Sequence, residues 1–524
     1  MTSGRCRSAF GGALVGAIFL LWSPSAPAQS PAGTPLASAP AELPAVPPAT
    51  LPTPETPATP SSSPSSSQPA PLPTAPSEPT PTPPPPQPFQ KFEILWNNGL
   101  YLQTADKKLV THWGATVQYD FSWYSASPIL EQGLFPADGI GKFLDGANLR
   151  RARIFSEGTL WDAVDYKIEM EFMNGIGFSP AGTTDPTIAG SISNSPGPTD
   201  AWVDIKDVPF FGKIRVGSQK EWFSLEHINN YRALEFMERS FLFDLAQATA
   251  FNNGFSPGIS AYRTWANDRI FTGIGMYKNI SSLIGFGYGD GQYAVTGRVC
   301  ALPIWQPDDQ RFWSIGGAMS HRDPVDNQVQ IRIRDIIRDA PFPLLPLLVN
   351  TKLLDASAQD LFNLETAAVY GPLTLQAEYT ATLIHDARQS ATNTGVPGPP
   401  QGTLFFQGYY TEMMWLVTGE SRKWNTNIYQ FDRVIPLRPF RLKRTECDGR
   451  GFGAVELAVR YSYADVSNKA IQSGRLDSVT LGVNWYLNAS VRFQLNYDYT
   501  HVGDKSNSGQ GHVSAVGIRS QFDF

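Results

Sequence analysis

Arginine recurs at every second position in two stretches of this 524-residue chain, and that spacing is where chemistry would be sought. In "LRRARIFSEG", residues 149–158, the pair is Arg151 and Arg153; in "IRIRDIIRD", residues 331–339, it is Arg332 and Arg334, with Arg338 beyond. On a strand, side chains two apart share a face. Guanidinium offers planar, multidentate donors to phosphate or carboxylate and stays charged at working pH, so such a pair suits weak anion contact rather than bond making. Glu169 and Glu171 are also two apart, yet no second catalytic element accompanies them, and a glycosidase reading is weak. The six histidines form no HExxH or other metal pattern. "GFGYGDG", residues 285–291, carries too many glycines for a dinucleotide fingerprint and precedes no helical pattern, so it reads as a strand end and turn. No catalysis, cofactor or metal is expected.

The elements that must position these residues are strands. In "DYKIEMEF", residues 165–172, Asp165, Lys167, Glu169 and Glu171 alternate with Tyr166, Ile168, Met170 and Phe172. "VELAVRYSYA" (455–464), "VTLGVNW" (479–485) and "VRFQLNYDYT" (491–500) repeat the design, with Leu457, Leu481 and Leu495 on their apolar faces. Soluble sandwiches alternate too. These runs, however, have about the 9–11 residues of a tilted membrane strand, carry aromatics near their ends and lie between turns and polar stretches. After the first 28 residues no run of about 20 apolar residues occurs, which excludes a helical membrane protein. The last segment, "AVGIRSQFDF", sets Val516, Ile518, Phe522 and Phe524 against Gly517, Arg519, Gln521 and Asp523. The expected fold is therefore all-β, an antiparallel transmembrane barrel whose apolar face meets lipid.

Composition divides the chain into three parts. Residues 1–28 contain Arg5 and Arg7, an apolar run from Ala9 to Trp22 and Ala26-Pro27-Ala28, the parts of a secretory signal peptide cleaved before Gln29. Residues 29–90 hold 22 of the 44 prolines among Ala, Ser and Thr; they read as a disordered or semi-rigid spacer, with a ligand for a proline-binding module or cell wall as the alternative. Residues 91–524 are the barrel. Setting aside Arg5, Arg7, Glu42, Glu55 and Glu78 leaves 39 basic and 44 acidic residues, a formal charge of −5 that argues against nucleic acid as a partner. Cys6 lies ahead of the apolar run, and Cys300 and Cys447 form no metal motif; whether they pair is open.

"LRRARIFSEGTLWDAVDYKIEMEF" (149–172) resembles the phosphate-selective porin O and P family. "DAWVDIK" (200–206), "IRVGSQKEWFSLE" (214–226), "FMERS" (236–240), "LETAAVYGPLTLQAEY" (364–379), "VTGESR" (417–422), "GAVELAVRYSY" (453–463) and "RLDSVTLGVNWYLN" (475–488) follow in the family's order. The resemblance covers nearly all of residues 92–524 and implies a sixteen-stranded outer-membrane barrel, homotrimeric, with short periplasmic turns and a long loop folded into the lumen. It implies small anions as solutes, phosphate or polyphosphate among them, outer-membrane lipid around the wall, and assembly machinery that reads the strand ending at Phe524. The chain departs from the family at three places. Trp222 replaces a proline in Lys220-Glu221-Trp222-Phe223, the stretch after "FMERS" offers arginine only at Arg263, and Ala115 stands where the family often has arginine. Each departure reads as a lost anion contact, which sets phosphate selectivity in question.

The candidate pore-lining residues are thus Arg151, Arg153, Lys220, Arg263, Arg332 and Arg334. Arg151 and Arg153 form either an anion ladder or wall electrostatics balanced by Glu157, Lys167, Glu169 and Glu171. Arg332 and Arg334 extend that ladder if luminal, and are solvated charges if their segment, beside "PFPLLPLL", is an extracellular loop. Two other readings are a non-selective or differently selective porin, and a surface structural or adhesive protein anchored by its barrel.

Overall fold

A computed structural model describes residues 91–524 apart from 133–138, 174–195, 247–253, 280–290, 339–344, 443–450 and 504–509. The expected signal peptide, the proline-rich segment, residues 285–290 of the glycine-rich stretch and Cys447 lie outside the described residues. Cys300 is a free, buried thiol whose Sγ donates to Glu365 Oε1 at 3.2 Å.

Sixteen antiparallel strands form the wall. In chain order they are β1 (Leu109–Ala126), β2 (Gly146–Leu160), β3 (Val164–Glu171), β4 (Gly197–Val208), β5 (Gly212–Lys220), β6 (Phe255–Trp265), β7 (Ile270–Lys278) and β8 (Tyr293–Gln306). Then come β9 (Arg311–Arg322), β10 (Ala358–Tyr370), β11 (Leu373–Gln389), β12 (Gly402–Leu416), β13 (Ala454–Asn468), β14 (Ile471–Tyr486), β15 (Val491–Gly503) and β16 (Gly511–Asp523). Each pairs with its neighbour, and β16 pairs with β1 from Val513↔Ala126 to Asp523↔Thr116, closing the barrel. Closure leaves no unpaired edge, the condition for strands to cross lipid. Below that seam a hairpin, Phe92–Trp96 with Leu100–Thr104, continues the sheet along β1, and Trp96 meets Phe524 at 5.4 Å between ring centroids.

Side-chain period 2 sorts the wall into two surfaces. Ile168 is 53% exposed on the outside, whereas its neighbours Lys167, Glu169 and Glu171 are buried inside. Likewise Val479, Leu481 and Val483 are exposed, while Ser478, Thr480 and Asn484 are buried. This polarity, apolar out and polar in, is the reverse of a soluble sandwich and fits a wall that faces lipid outside and water or polar groups inside.

The connections differ between the two ends. Six of those at one end are short turns, residues 161–163, 209–211, 266–269, 307–310, 371–372 and 487–490, the end that faces the periplasm in barrels of this type. The seventh there, residues 417–453, is long, and its residues 424–431 turn into the lumen: Trp424, Tyr429 and Phe431 pack with Phe271 and Phe312, and Arg298 donates to the Tyr429 carbonyl at 3.0 Å. At the other end two long connections enter the lumen. One follows β5 and includes residues 221–246; the other follows β9 and includes the paired strands Arg332–Arg334 and Leu347–Asn350.

Leu481 on β14 tests the outward face. Leu481→Arg is expected to lower stability by about 2–4 kcal/mol if the site lies at mid-bilayer, measured by equilibrium unfolding in phospholipid vesicles. Thr480→Ser, on the luminal face one residue away, is expected to leave the wall intact in the same measurement.

Candidate functional site

The site is the narrowed lumen, and its centre is the segment 221–246. It contains two short helices, Leu225–Ile228 and Phe241–Ala246, and almost every residue of it is buried. Small wall residues let it approach closely. A Cβ on Gly482 would come within 3.1 Å of the Phe236 ring, and one on Gly517 within 2.8 Å of the Met237 sulfur. A Cβ on Gly408 would lie 3.2 Å from Leu242.

Charge fixes the segment in place. Each of its five carboxylates meets an arginine from elsewhere in the barrel. Glu221 lies 2.7 Å from Arg322, Glu226 3.3 Å from Arg460, and Glu235 2.7 Å from Arg422. Asp244 lies 2.8 Å from Arg338, in the loop after β9. Glu238 is shared by Arg150 at 2.9 Å, Arg151 at 3.4 Å and Arg519 at 2.7 Å. Arg519 is in turn held by Asp120 at 2.6 Å across the β1–β16 seam. Burial alone would raise the Glu238 carboxyl, but Arg150, Arg151 and Arg519 hold it well below the ordinary carboxylate range. Its pairing is therefore complete above the usual glutamate pKa and is lost only as pH falls through that depressed value.

Arg151 and Arg153 do point into the lumen, but both are occupied. Arg151 donates to Gln118 Oε1 at 2.7 Å and lies by Glu238. Arg153 spans Glu169 and Glu171 at 2.7 and 2.6 Å, which gives that carboxylate pair a structural partner. The geometry is that of wall electrostatics. Lys220 caps the first helix of the segment, its Nζ donating to the carbonyls of His227, Ile228 and Asn229 at 2.7, 3.1 and 2.9 Å. Arg334 and Arg332 belong to the loop after β9, which turns into the lumen instead of carrying them as solvated charges outside; Arg334 donates its backbone N–H to Asp244 and its guanidinium lies 3.6 Å from the same carboxylate. Arg263 corrects the expectation. It shares the outer face of β6 with Ile259 and Trp265, stacks over Trp265 at 4.3 Å and donates to the Phe210 carbonyl, so it lies in an aromatic rim at the short-turn end and not in the pore. Two departures from the family also change meaning. Ala115 pairs with outward-facing Ile154, so no luminal contact is lost there, and Trp222 fills an aromatic cluster with Tyr262 and Phe271.

Period-2 reasoning missed Arg150. A register shift where Tyr119 pairs with Leu149 and Gln118 with Arg151 leaves Arg150 as the extra residue of a bulge, and both Arg150 and Arg151 then reach Glu238. It also missed Arg232, on the inward segment between Tyr231 and Ala233. Four cations gather over two rings here: Arg153 and Arg151 over Tyr231 at 4.3 and 5.4 Å, Arg232 and Lys167 over Phe155 at 4.8 and 5.8 Å. Lys167 is balanced by Asp200 at 3.1 Å. Arg232 has no carboxylate within 4 Å among the described residues, and its NH1 is buried without a hydrogen-bond partner. The half-exposed wall beside it, on β2–β5, mixes signs: Glu157 with His112, Lys213 and Lys206 with Asp165, and Arg215 with Asp204.

The sequence profile described as phosphate-selective porin O and P matches residues 138–298 and 348–524. The chain belongs to this family. An uncharacterised protein of Caulobacter vibrioides is 25% identical to this porin over 388 residues, 72% of this chain and 68% of that one. Porin O of Pseudomonas aeruginosa is 26% identical over 172 residues, 31% of this chain and 34% of that one. Among solved structures, the anion-selective porin from Comamonas acidovorans aligns with a TM-score of 0.47 at 14% identity, over 79% of this chain and 99% of that one. OmpT of Vibrio cholerae, folded in vitro, aligns with a TM-score of 0.43 at 8% identity, over 80% of this chain and 98% of that one. Family and closed barrel together support an outer-membrane porin channel.

Removing one partner of a buried charge pair costs about 3–5 kcal/mol, because the other charge is left uncompensated. Glu238→Ala removes the carboxylate that Arg150, Arg151 and Arg519 share, so it is expected to loosen the segment 221–246. The loss should appear as faster protease cleavage within 221–246 in the folded porin and a larger single-channel conductance in planar bilayers.

Proposed function

We propose that this porin passes small anions by passive diffusion, with only weak preference among them. The observation that carries the reading is Arg232, a guanidinium on the inward segment with no carboxylate partner among the described residues. A guanidinium without a direct ion pair can exchange a neighbouring group for a passing anion, and weak binding is what conduction needs. Arg151, Arg153 and Lys220 then act at one remove, holding the segment that presents Arg232, while Arg332 and Arg334 serve the same purpose from the loop after β9. Membership of a family of phosphate-selective porins supports an anionic solute. The full pairing of Arg151 and Arg153 favours the second reading, a pore without phosphate preference. A homotrimer in outer-membrane lipid, with the strand ending at Phe524 read by assembly machinery, belongs to the same proposal.

The reversal potential across a salt gradient tests it. Wild type is expected to be anion-selective, and Arg232→Gln to lower the anion-to-cation permeability ratio about two- to fivefold, the effect of one solvated charge worth about 0.5–1 kcal/mol. Block by added phosphate would assign phosphate as a favoured solute. Cation selectivity in the wild type would overturn the anionic reading and leave a channel of different preference.

A further inference from the structure

The long connection at the short-turn end, residues 417–453, has a second half that leaves the lumen. Val434 is still inside, buried with Leu416, Ala454 and Tyr486, and the Leu437 N–H donates to buried Glu420 at 3.0 Å. From there the chain crosses the rim. The Phe440 N–H donates to the Leu487 carbonyl at 2.6 Å, and residues 438–441 run beside 451–453: the Arg441 N–H donates to the Gly451 carbonyl at 2.9 Å and the Gly453 N–H to the Arg438 carbonyl at 3.1 Å. This ribbon is seated on Trp485 of β14. The indole N–H donates to the Phe452 carbonyl at 2.8 Å, and the ring meets those of Phe440 and Phe452 at 5.3 and 5.5 Å between centroids. Trp485 follows Val479, Leu481 and Val483 in the outward phase and lies 6.3 Å from the Phe493 ring of β15, so the ribbon is continuous with the lipid-facing wall.

What the ribbon shows to its surroundings is apolar and basic. Leu437 is 72% exposed, Leu442 79% and Phe452 63%, and Ile435 is exposed as well. Four large apolar side chains left open on one short stretch mark an interaction surface. Charge gathers at the same place. Residues 433–442 hold three arginines and no acid, in a barrel that is acidic overall, and in sequence the excess continues to six basic against two acidic residues over 433–450. Arg433 is tied to the Ala489 carbonyl at 3.2 Å and to Asp523 at 3.5 Å, which leaves Arg438 and Arg441 as the exposed pair.

We propose that this ribbon is a lip that binds the headgroups of anionic phospholipids at the periplasmic boundary of the membrane. Leu437, Leu442 and Phe452 enter the edge of the leaflet, and Arg438 and Arg441 hold lipid phosphates. Trp485 lies at the end of its strand, the depth at which aromatic belts sit, so guanidiniums beside it stand at headgroup level. Their planar donors match phosphate oxygens. Apolar and basic side chains on one segment are the pattern of an interfacial element, in which buried area and attraction to anionic lipid act together. A free phosphate would have no use for the leucines, and an acidic soluble partner would have no reason to sit against the lipid-facing wall. The inference goes beyond solute passage and holds whichever ion the pore prefers.

Native mass spectrometry of the whole porin, titrated in detergent with phosphatidylglycerol or phosphatidylcholine, reads lipid retention and subunit number together. Phosphatidylglycerol is expected to bind more tightly than phosphatidylcholine. Arg438→Gln combined with Arg441→Gln is expected to weaken it about 30-fold, about fivefold for each charge. Leu437→Ser combined with Leu442→Ser is expected to weaken both lipids. Arg475→Gln, an exposed arginine near the other end of β14, is expected to retain lipid as wild type does. Equal retention of the two lipids by wild type overturns the lip, as does a double arginine variant that binds like wild type. Displacement of phosphatidylglycerol by an equal concentration of soluble glycerol phosphate would assign the arginines to a free anion and overturn the lipid source. A changed subunit number in the double arginine variant, with lipid retention unaltered, would give the surface to a second copy of the chain instead. Should that variant lack strand circular dichroism, Arg438→Gln alone carries the test at about fivefold.

Discussion

The structure turns on a charge arrangement at Glu238, where one carboxylate gathers Arg150, Arg151 and Arg519. A barrel wall satisfies its own backbone, but nothing in strand pairing requires a loop to enter the lumen. What draws residues 221–246 inward is the match between five carboxylates on the segment and arginines around it, backed by apolar contacts over Gly408, Gly482 and Gly517. Buried ion pairs are poor net stabilisers, since desolvation offsets much of their attraction. Their strength is positional: a displaced segment would leave several charges uncompensated at once.

The same economy bears on selectivity. An arginine that holds a carboxylate has little left for a passing solute, so the number of luminal arginines is a weak guide to anion preference. Arg298, Arg322, Arg422 and Arg519 are buried and paired, and so is Arg153. Arg232 differs because it sits on the segment rather than under it, over Phe155 and next to a wall of mixed sign. Charge balance of the whole barrel, slightly acidic, says nothing about this local arrangement.

The wall was legible in the sequence because period 2 is a local property. Ile168 outward and Lys167, Glu169 and Glu171 inward follow from eight residues alone. Sixteen strands and an inward loop were legible only through resemblance, and the place of that loop was not legible at all, since its carboxylates find partners up to 281 residues away, as Glu238 does in Arg519. Arg150 was hidden by a bulge, which breaks the alternation that reveals its neighbours. Arg263 was misplaced because arginine was equated with lumen; beside Trp265 at the rim, an amphipathic side chain can lay its stem on the apolar surface and its head in the polar boundary. Ladder and wall roles for Arg151 and Arg153 look identical until the positions of Glu169, Glu171 and Glu238 are known.

The clamp on Glu238 spans the seam between the first and last strands. Asp120 comes from β1 and Arg519 from β16, and the two bind each other and the inward segment only where those strands lie side by side. The chain thus makes its constriction from parts that are about 400 residues apart in sequence and are brought together by the final pairing of the wall. Narrowing is tied to completion: while the seam is open, the segment lacks one of its three anchors at Glu238.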